Sequence, residues 1–198
     1  MQVKLEKTFP IAAPADAGWR VLQDIKGVAE CMPGAQITQQ IDATHYKGQV
    51  KMRLGPATAS FNGELKIKSI DEGERKIELF GKGSDTSGAS AATMNLTAQV
   101  RDGGDGRCEV IGVSDITVSG KLASFGGRML TQVSEQILKQ FGDNFTARVL
   151  ASARGADTPQ TMAASVPPPK ELNGVALAWN VVLGFFKSLF GDTKSKSG

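Results

Sequence analysis

The chain reads as an α+β fold: an antiparallel sheet wraps its apolar face round a long C-terminal helix, and a linker and separate amphipathic tail helix follow. Three observations predict it. Between Tyr46 and Ser119 apolar and polar residues alternate in segment after segment, the period of strands with one wet face. Short turns rich in Gly, Asp and Pro separate these segments, so sequence neighbours pair as antiparallel hairpins. From Lys121 the apolar period changes to steps of three and four, as on an amphipathic helix.

The elements follow in order. Val3, Leu5 and Phe9 alternate with Gln2, Lys4, Glu6 and Thr8, which predicts an opening strand over residues 2–9. Pro14 suits a helix first turn, and Trp19 and Leu22 at helical spacing place a helix from Ala15 to Gln23. A second helical piece around Ile25–Cys31 stops at Pro33-Gly34. Tyr46, Gly48, Val50, Met52 and Leu54 then oppose Lys47, Gln49, Lys51 and Arg53 in a strict strand pattern. Beyond Gly55-Pro56, Ala59, Phe61, Gly63, Leu65 and Ile67 face one way, and Ser60, Asn62, Glu64, Lys66 and Lys68 the other.

Asp71-Glu72-Gly73-Glu74 turns the chain into a strand whose inward face holds Ile77, Leu79 and Gly81. Met94, Leu96, Ala98 and Val100 share a parity between Ser90 and Val100. Asp102-Gly103-Gly104-Asp105-Gly106 closes a hairpin to the last strand, Cys108 to Ser119. Leu122, Phe125, Met129, Leu130, Val133, Ile137, Phe141 and Phe145 define a helix of about seven turns. Phe125 and Met129 are expected to point at the sheet.

Composition sets limits on function. The 198 residues include only two cysteines, Cys31 and Cys108, and one histidine, which excludes a disulfide framework and a His-pair zinc site. A net charge of +3 does not advertise a nucleic-acid partner. The charged opening segment Met1-Gln2-Val3-Lys4-Leu5-Glu6-Lys7 has no apolar core of a signal peptide, so a cytoplasmic location is expected. Gly81-Lys82-Gly83-Ser84 and Gly103-Gly104 precede strands rather than helices and read as turn glycines, not phosphate loops. His45 reads as a surface histidine. Asp115 is an acid in an otherwise uncharged strand: it either meets a ligand's polar end or a buried amide, or faces outward, with Arg128 as its partner or in water.

The small residues Gly81, Gly83 and Gly88 to Ala92 admit two readings, a sharply bent sheet or a cavity for an apolar ligand. On the cavity reading, inward parity and the helix's apolar face bring together Trp19, Met52, Leu54, Phe61, Leu79, Met94, Leu96, Phe125, Met129 and Val133. No catalytic or metal-binding residue is assigned.

Residues 1–150 form the domain; 151–171 read as an Ala/Ser/Pro-rich linker, 172–190 as an amphipathic helix and 191–198 as a polar tail. In the helix Val175, Trp179, Val182, Leu183, Phe186, Leu189 and Phe190 gather on one side, and Asn173, Asn180, Gly184, Lys187 and Ser188 on the other. A polar stripe of this kind argues against lipid on all sides. It favours a helix lying in the membrane interface, with Lys187, Lys194 and Lys196 toward anionic headgroups. A membrane span and docking on a protein surface stand as the alternatives.

The order of elements resembles the START-like, helix-grip superfamily. Trp19, Cys31-Met32-Pro33-Gly34, Tyr46-Lys47-Gly48, Leu54-Gly55-Pro56, Phe61-Asn62-Gly63, Gly81-Lys82-Gly83 and the run Ser114 to Arg128 resemble the family of the carbon monoxide dehydrogenase G subunit (CoxG) more specifically. The resemblance covers residues 1–150. It implies a non-enzymatic accessory protein of a molybdenum-hydroxylase-type carbon monoxide dehydrogenase, peripheral to the cytoplasmic membrane, with no covalent cofactor and a quinone or other lipid bound in the cavity. A tether or assembly factor without ligand is the rival; a cyclase-type enzyme on the same fold is the third reading.

Overall fold

A computed structural model describes residues 1–54 and 57–155. The predicted tail helix and polar tail, with most of the predicted linker, lie outside the described residues. The elements are β1 (Gln2–Ile11), α1 (Ala15–Gln23), α2 (Ile25–Cys31), β2 (Ala35–Gln40), β3 (His45–Leu54), β4 (Ala57–Asp71), β5 (Lys76–Asp85), β6 (Ser90–Gly104) and β7 (Arg107–Gly120). A 3-10 helix (Lys121–Phe125) and α3 (Gly127–Ala153) complete them. The seven strands form one antiparallel sheet in the order β1-β7-β6-β5-β4-β3-β2. The α+β architecture predicted from periodicity is the one observed.

Three details differ from the sequence reading. Strand β2 is an addition, because Ala35-Gln-Ile-Thr-Gln-Gln holds one large apolar residue, and a bulge between Ile37 and Gln39 breaks its alternation. The long helix does not start at Lys121. Gly120, at φ 75°, turns the chain where the position of a Cβ is already taken by the Ala89 carbonyl. One turn of 3-10 helix follows, held by the Lys121 amide on the Ala89 carbonyl (3.0 Å) and the Leu122 amide on Ser90 Oγ (3.0 Å). Gly126, at φ 81°, then breaks the path again before α3 begins. At the other end α3 runs to Ala153, so the linker cannot begin at residue 151.

Two apolar cores hold the helices on one face of the sheet, the inner face. The larger joins Ile11, Trp19, Ile77, Val100, Cys108, Val110, Phe145 and Val149. Gly18 of α1 allows that helix to sit close on Val100 and Cys108. Phe9 meets Phe141 edge-on at 5.8 Å, and Phe141 stacks on Phe145 at 5.5 Å. Gly142 leaves room for the Phe9 ring. Polar contacts fix the same end of α3: Asn144 Nδ2 donates to the Cys31 carbonyl at 3.0 Å, and Arg148 reaches Asp24 (2.9 Å) and Glu30 (3.1 Å). The smaller core gathers Phe61, Val118, Leu122 and Leu130, with Met52, Ile116 and Val133 packed on it.

Candidate functional site

Strand pairing aligns the inner-face residues in rows that cross the sheet. Ile116, Met94, Gly81 and Leu65 lie side by side across β7, β6, β5 and β4. In the next row Leu5 of β1 joins Ser114, Leu96, Leu79 and Ile67. Leu79 belongs to the larger core, Leu65, Ile67 and Leu96 pack on it, and Ile116 packs on the smaller one, so the rows join the two cores. Ile116, Met94, Leu65, Leu5, Leu96 and Ile67 are only half-buried, although all are apolar. The middle of α3 likewise keeps Val133, Ile137 and Leu138 half-buried. Among the described side chains of α3, none between Leu130 and Phe145 is fully buried except Gly142. The helix is thus packed at both ends, and the half-buried residues of its middle and of the rows are apolar surface that an apolar ligand would cover.

The glycines of the inner face serve two different purposes. A Cβ on Gly48 would stand 2.8 Å from the Gln36 carbonyl oxygen, and one on Gly63 2.5 Å from that of Lys82. These positions, with Gly83 (3.2 Å from the Asn62 carbonyl oxygen), let neighbouring backbones close up as the sheet bends. Gly81 is different: its Cβ would meet only the Met94 Cε at 3.5 Å and Leu65 Cδ1 at 3.8 Å, with the Glu64 carbonyl oxygen at 3.9 Å. There the missing side chain leaves space above the sheet rather than relief within it. Both sequence readings of the small residues therefore have residues that fit them.

The predicted lining residues are distributed unevenly. Trp19 and Leu79 are built into the larger core and Phe61 into the smaller one. Met52 and Val133 pack on the smaller core and Leu96 on the larger, while Met94 sits half-buried in the rows. Leu54, Phe125 and Met129 belong to β3, the 3-10 helix and α3, but their side chains lie outside the described residues. So do all the residues assigned to the membrane, Val175, Trp179, Val182, Leu183, Phe186, Lys187, Leu189 and Phe190. Asp115 does not face inward. It is exposed on the outer face, paired in register with Lys4 and Asn95, and its neighbour Ser114 turns inward instead. Arg128 is exposed as well.

Most charge lies on the other face, although Lys7, opposite Gly112, and Asp85, opposite Phe61, share the inner parity beyond these two rows. On the outer face Lys82 lies 3.0 Å from Glu64 and holds that carboxyl below the usual carboxylate range. His45 is near Asp42 (3.5 Å), at the surface. Neither of the two central inner rows contains a charged side chain. Burial pushes the Cys31 thiol up to about 11, and its Sγ donates to the Gly27 carbonyl at 3.3 Å. It stays a protonated, unreactive thiol at neutral pH. Burial likewise raises Cys108. Among the described residues no three His, Cys, Asp or Glu side chains converge to hold a metal ion, and no helix is long and apolar enough to cross a membrane.

Two hollows lie away from the rows. One of about 320 Å³ is lined by Pro10, Ile11, Ala12, Gly103, Arg107, Cys108 and Glu109. The other, about 160 Å³, surrounds Phe80 with His45, Glu64, Lys66 and Lys82. Their charged rims make both poorer places for an apolar ligand than the uncharged rows.

Comparison with known proteins agrees with this architecture. Residues 8–150 match the sequence profile of the family described as the carbon monoxide dehydrogenase G subunit (CoxG). No curated protein matches the chain. A conserved protein from Geobacillus kaustophilus superposes with a TM-score of 0.68 at 16% identity, over 76% of this chain and 97% of its own. The Zhui aromatase/cyclase from Streptomyces sp. R1128 gives 0.59 at 16% identity, over 79% and 99%. A START superfamily protein from Mycobacterium smegmatis gives 0.53 at 14% identity, over 74% and 97%. The fold is START-like.

Proposed function

The chain belongs to the CoxG family of carbon monoxide dehydrogenase subunits, and from that premise we propose that it carries a hydrophobic ligand, a quinone, against the half-buried rows of the inner face. In this reading it is a non-enzymatic accessory protein of a molybdenum-hydroxylase-type carbon monoxide dehydrogenase. Residues 172–190 hold it at the cytoplasmic face of the membrane. The observation that supports the ligand most directly is the set of apolar inner-face residues, Leu5, Leu65, Ile67, Met94, Leu96 and Ile116, that stay only half-buried in two uncharged rows. A soluble oxidoreductase that delivers electrons to a quinone must reach a molecule dissolved in lipid. A tethered domain with an apolar ligand site meets that need without chemistry of its own.

A tether or assembly factor without ligand is the second reading, and the glycines needed for sheet curvature, Gly48 and Gly63, favour it to the extent that they create no space. A cyclase on this fold would need acids or bases over the rows, where the side chains are uncharged. Mass spectrometry of an organic extract from gently purified full-length protein separates carrier from tether. A stoichiometric quinone is the expected result, and an empty extract from folded protein would leave the tether. Flotation with anionic liposomes tests the membrane role: the full chain should float and a 1–165 truncation should not.

A further inference from the structure

One polar side chain interrupts the uncharged rows. Ser114 is 8% exposed and turns inward, flanked in register by Leu5 and Leu96 and along its strand by Gly112 and Ile116. Its hydroxyl makes no hydrogen bond among the described residues. A hydroxyl with no protein partner is met either by solvent or by a ligand. No buried side-chain oxygen or nitrogen among the described residues is both sealed from solvent and unpartnered, so the Ser114 oxygen keeps an opening. Its inward parity places the hydroxyl on the face that carries the half-buried apolar residues. Other buried hydroxyls behave differently: Ser90 Oγ, for instance, accepts from the Leu122 amide at 3.0 Å.

We infer that Ser114 is the polar anchor of the site, hydrogen-bonding a ring oxygen of the ligand while the apolar rows hold its carbon skeleton; the inference rests on the carrier reading above. A serine hydroxyl both donates and accepts. It can therefore donate to a carbonyl oxygen of a quinone and accept from a hydroxyl of the corresponding quinol, so one residue serves both forms. Across β1 and β4 to β7 neither row offers a second polar side chain, and Tyr46, opposite Leu65 on β3, gives its hydroxyl to the Ala43 carbonyl at 3.2 Å; the anchor thereby selects oxygenated rings over hydrocarbons of the same shape.

The test compares two probes of one shape, menadione and 2-methylnaphthalene, binding to the full chain by isothermal titration calorimetry. Ser114→Ala should weaken menadione about five- to tenfold, the worth of one hydrogen bond, and leave 2-methylnaphthalene unchanged. Ser114→Thr, which keeps the hydroxyl, should preserve the preference for menadione. The ligand-free Ser114→Ala protein should melt no lower than the wild type, since it loses an unpaired hydroxyl. A lower melting temperature would make Ser114 a structural residue and overturn the assignment. Equal losses on both probes, or no loss on either, would overturn the anchor while leaving the carrier in place. A wild-type chain that binds neither probe would overturn both.

Discussion

Replacing Gly63 by alanine sets one methyl group against the backbone of the next strand. The new Cβ would stand 2.5 Å from the Lys82 carbonyl oxygen and 3.2 Å from the Gly83 Cα, where ordinary contact begins at 3.4 Å. Strands β4 and β5 must part by nearly 1 Å, a displacement of the order met when a filled core is overpacked, at the point where Gly63 and Gly83 pair. Overpacking of that kind costs about 1–3 kcal/mol. Against it stands the smaller freedom of alanine in the unfolded chain, about 0.4–1 kcal/mol. A net loss of roughly 1–2 kcal/mol is expected, or a thermal midpoint lower by about 2–8 °C for a domain of this size. Gly81→Ala is the control: it adds the same methyl to the same face, at ordinary distances from Met94 and Leu65, and should be neutral or stabilising by up to about 1 kcal/mol. Urea denaturation of both variants, read as midpoints at constant slope, gives the comparison. Equal stabilities would refute the division between glycines that bend the sheet and the glycine that leaves space above it.

Two further outcomes follow from the packing and the titrating groups. Phe145, fully buried under Phe141, anchors the last half of α3, so Phe145→Ala should cost about 3–5 kcal/mol in urea denaturation; a loss below about 1 kcal/mol would mean that α3 is held elsewhere. The Cys31 thiol titrates at about 11 in the fold against an ordinary value of 9.0, so the unfolded chain loses its proton first. The stability linked to Cys31 is full below pH 9 and is lost as pH rises toward 11, by at most about 1.4 kcal/mol per pH unit. Wild-type stability should therefore fall more steeply than that of Cys31→Ala across that window, and parallel curves in chemical denaturation would contradict the burial argument.

Much of this fold was legible in period alone. Tyr46, Gly48, Val50 and Met52 alternate without a fault because β3 has one face on the interior and one in water. Strand β2 escaped because an edge strand with a bulge needs little apolar surface. The break at Gly126 escaped because the apolar residues keep helical spacing through it, while the backbone takes a conformation no hydropathy pattern records. At the site, attention to charge singled out Asp115, yet counting parity inward from Val110 and Val118 reaches Ser114. The signal was there in the alternation. Whether a hydroxyl has a partner, however, depends on groups far away in sequence.

The sheet order carries a consequence for synthesis. Strands β2 to β7 form successive hairpins, each able to pair soon after it leaves the ribosome. Strand β1 emerges first and pairs last: the Met1 amine donates to the Val118 carbonyl across 117 residues, and Gln2 aligns with Thr117. The opening strand must wait through nearly the whole domain with its backbone groups unpaired. Its charged side chains Lys4, Glu6 and Lys7 protect it meanwhile, as charges do on exposed strand edges. Closure is a long-range, late step, and the slow phase of refolding should belong to the docking of β1 on β7.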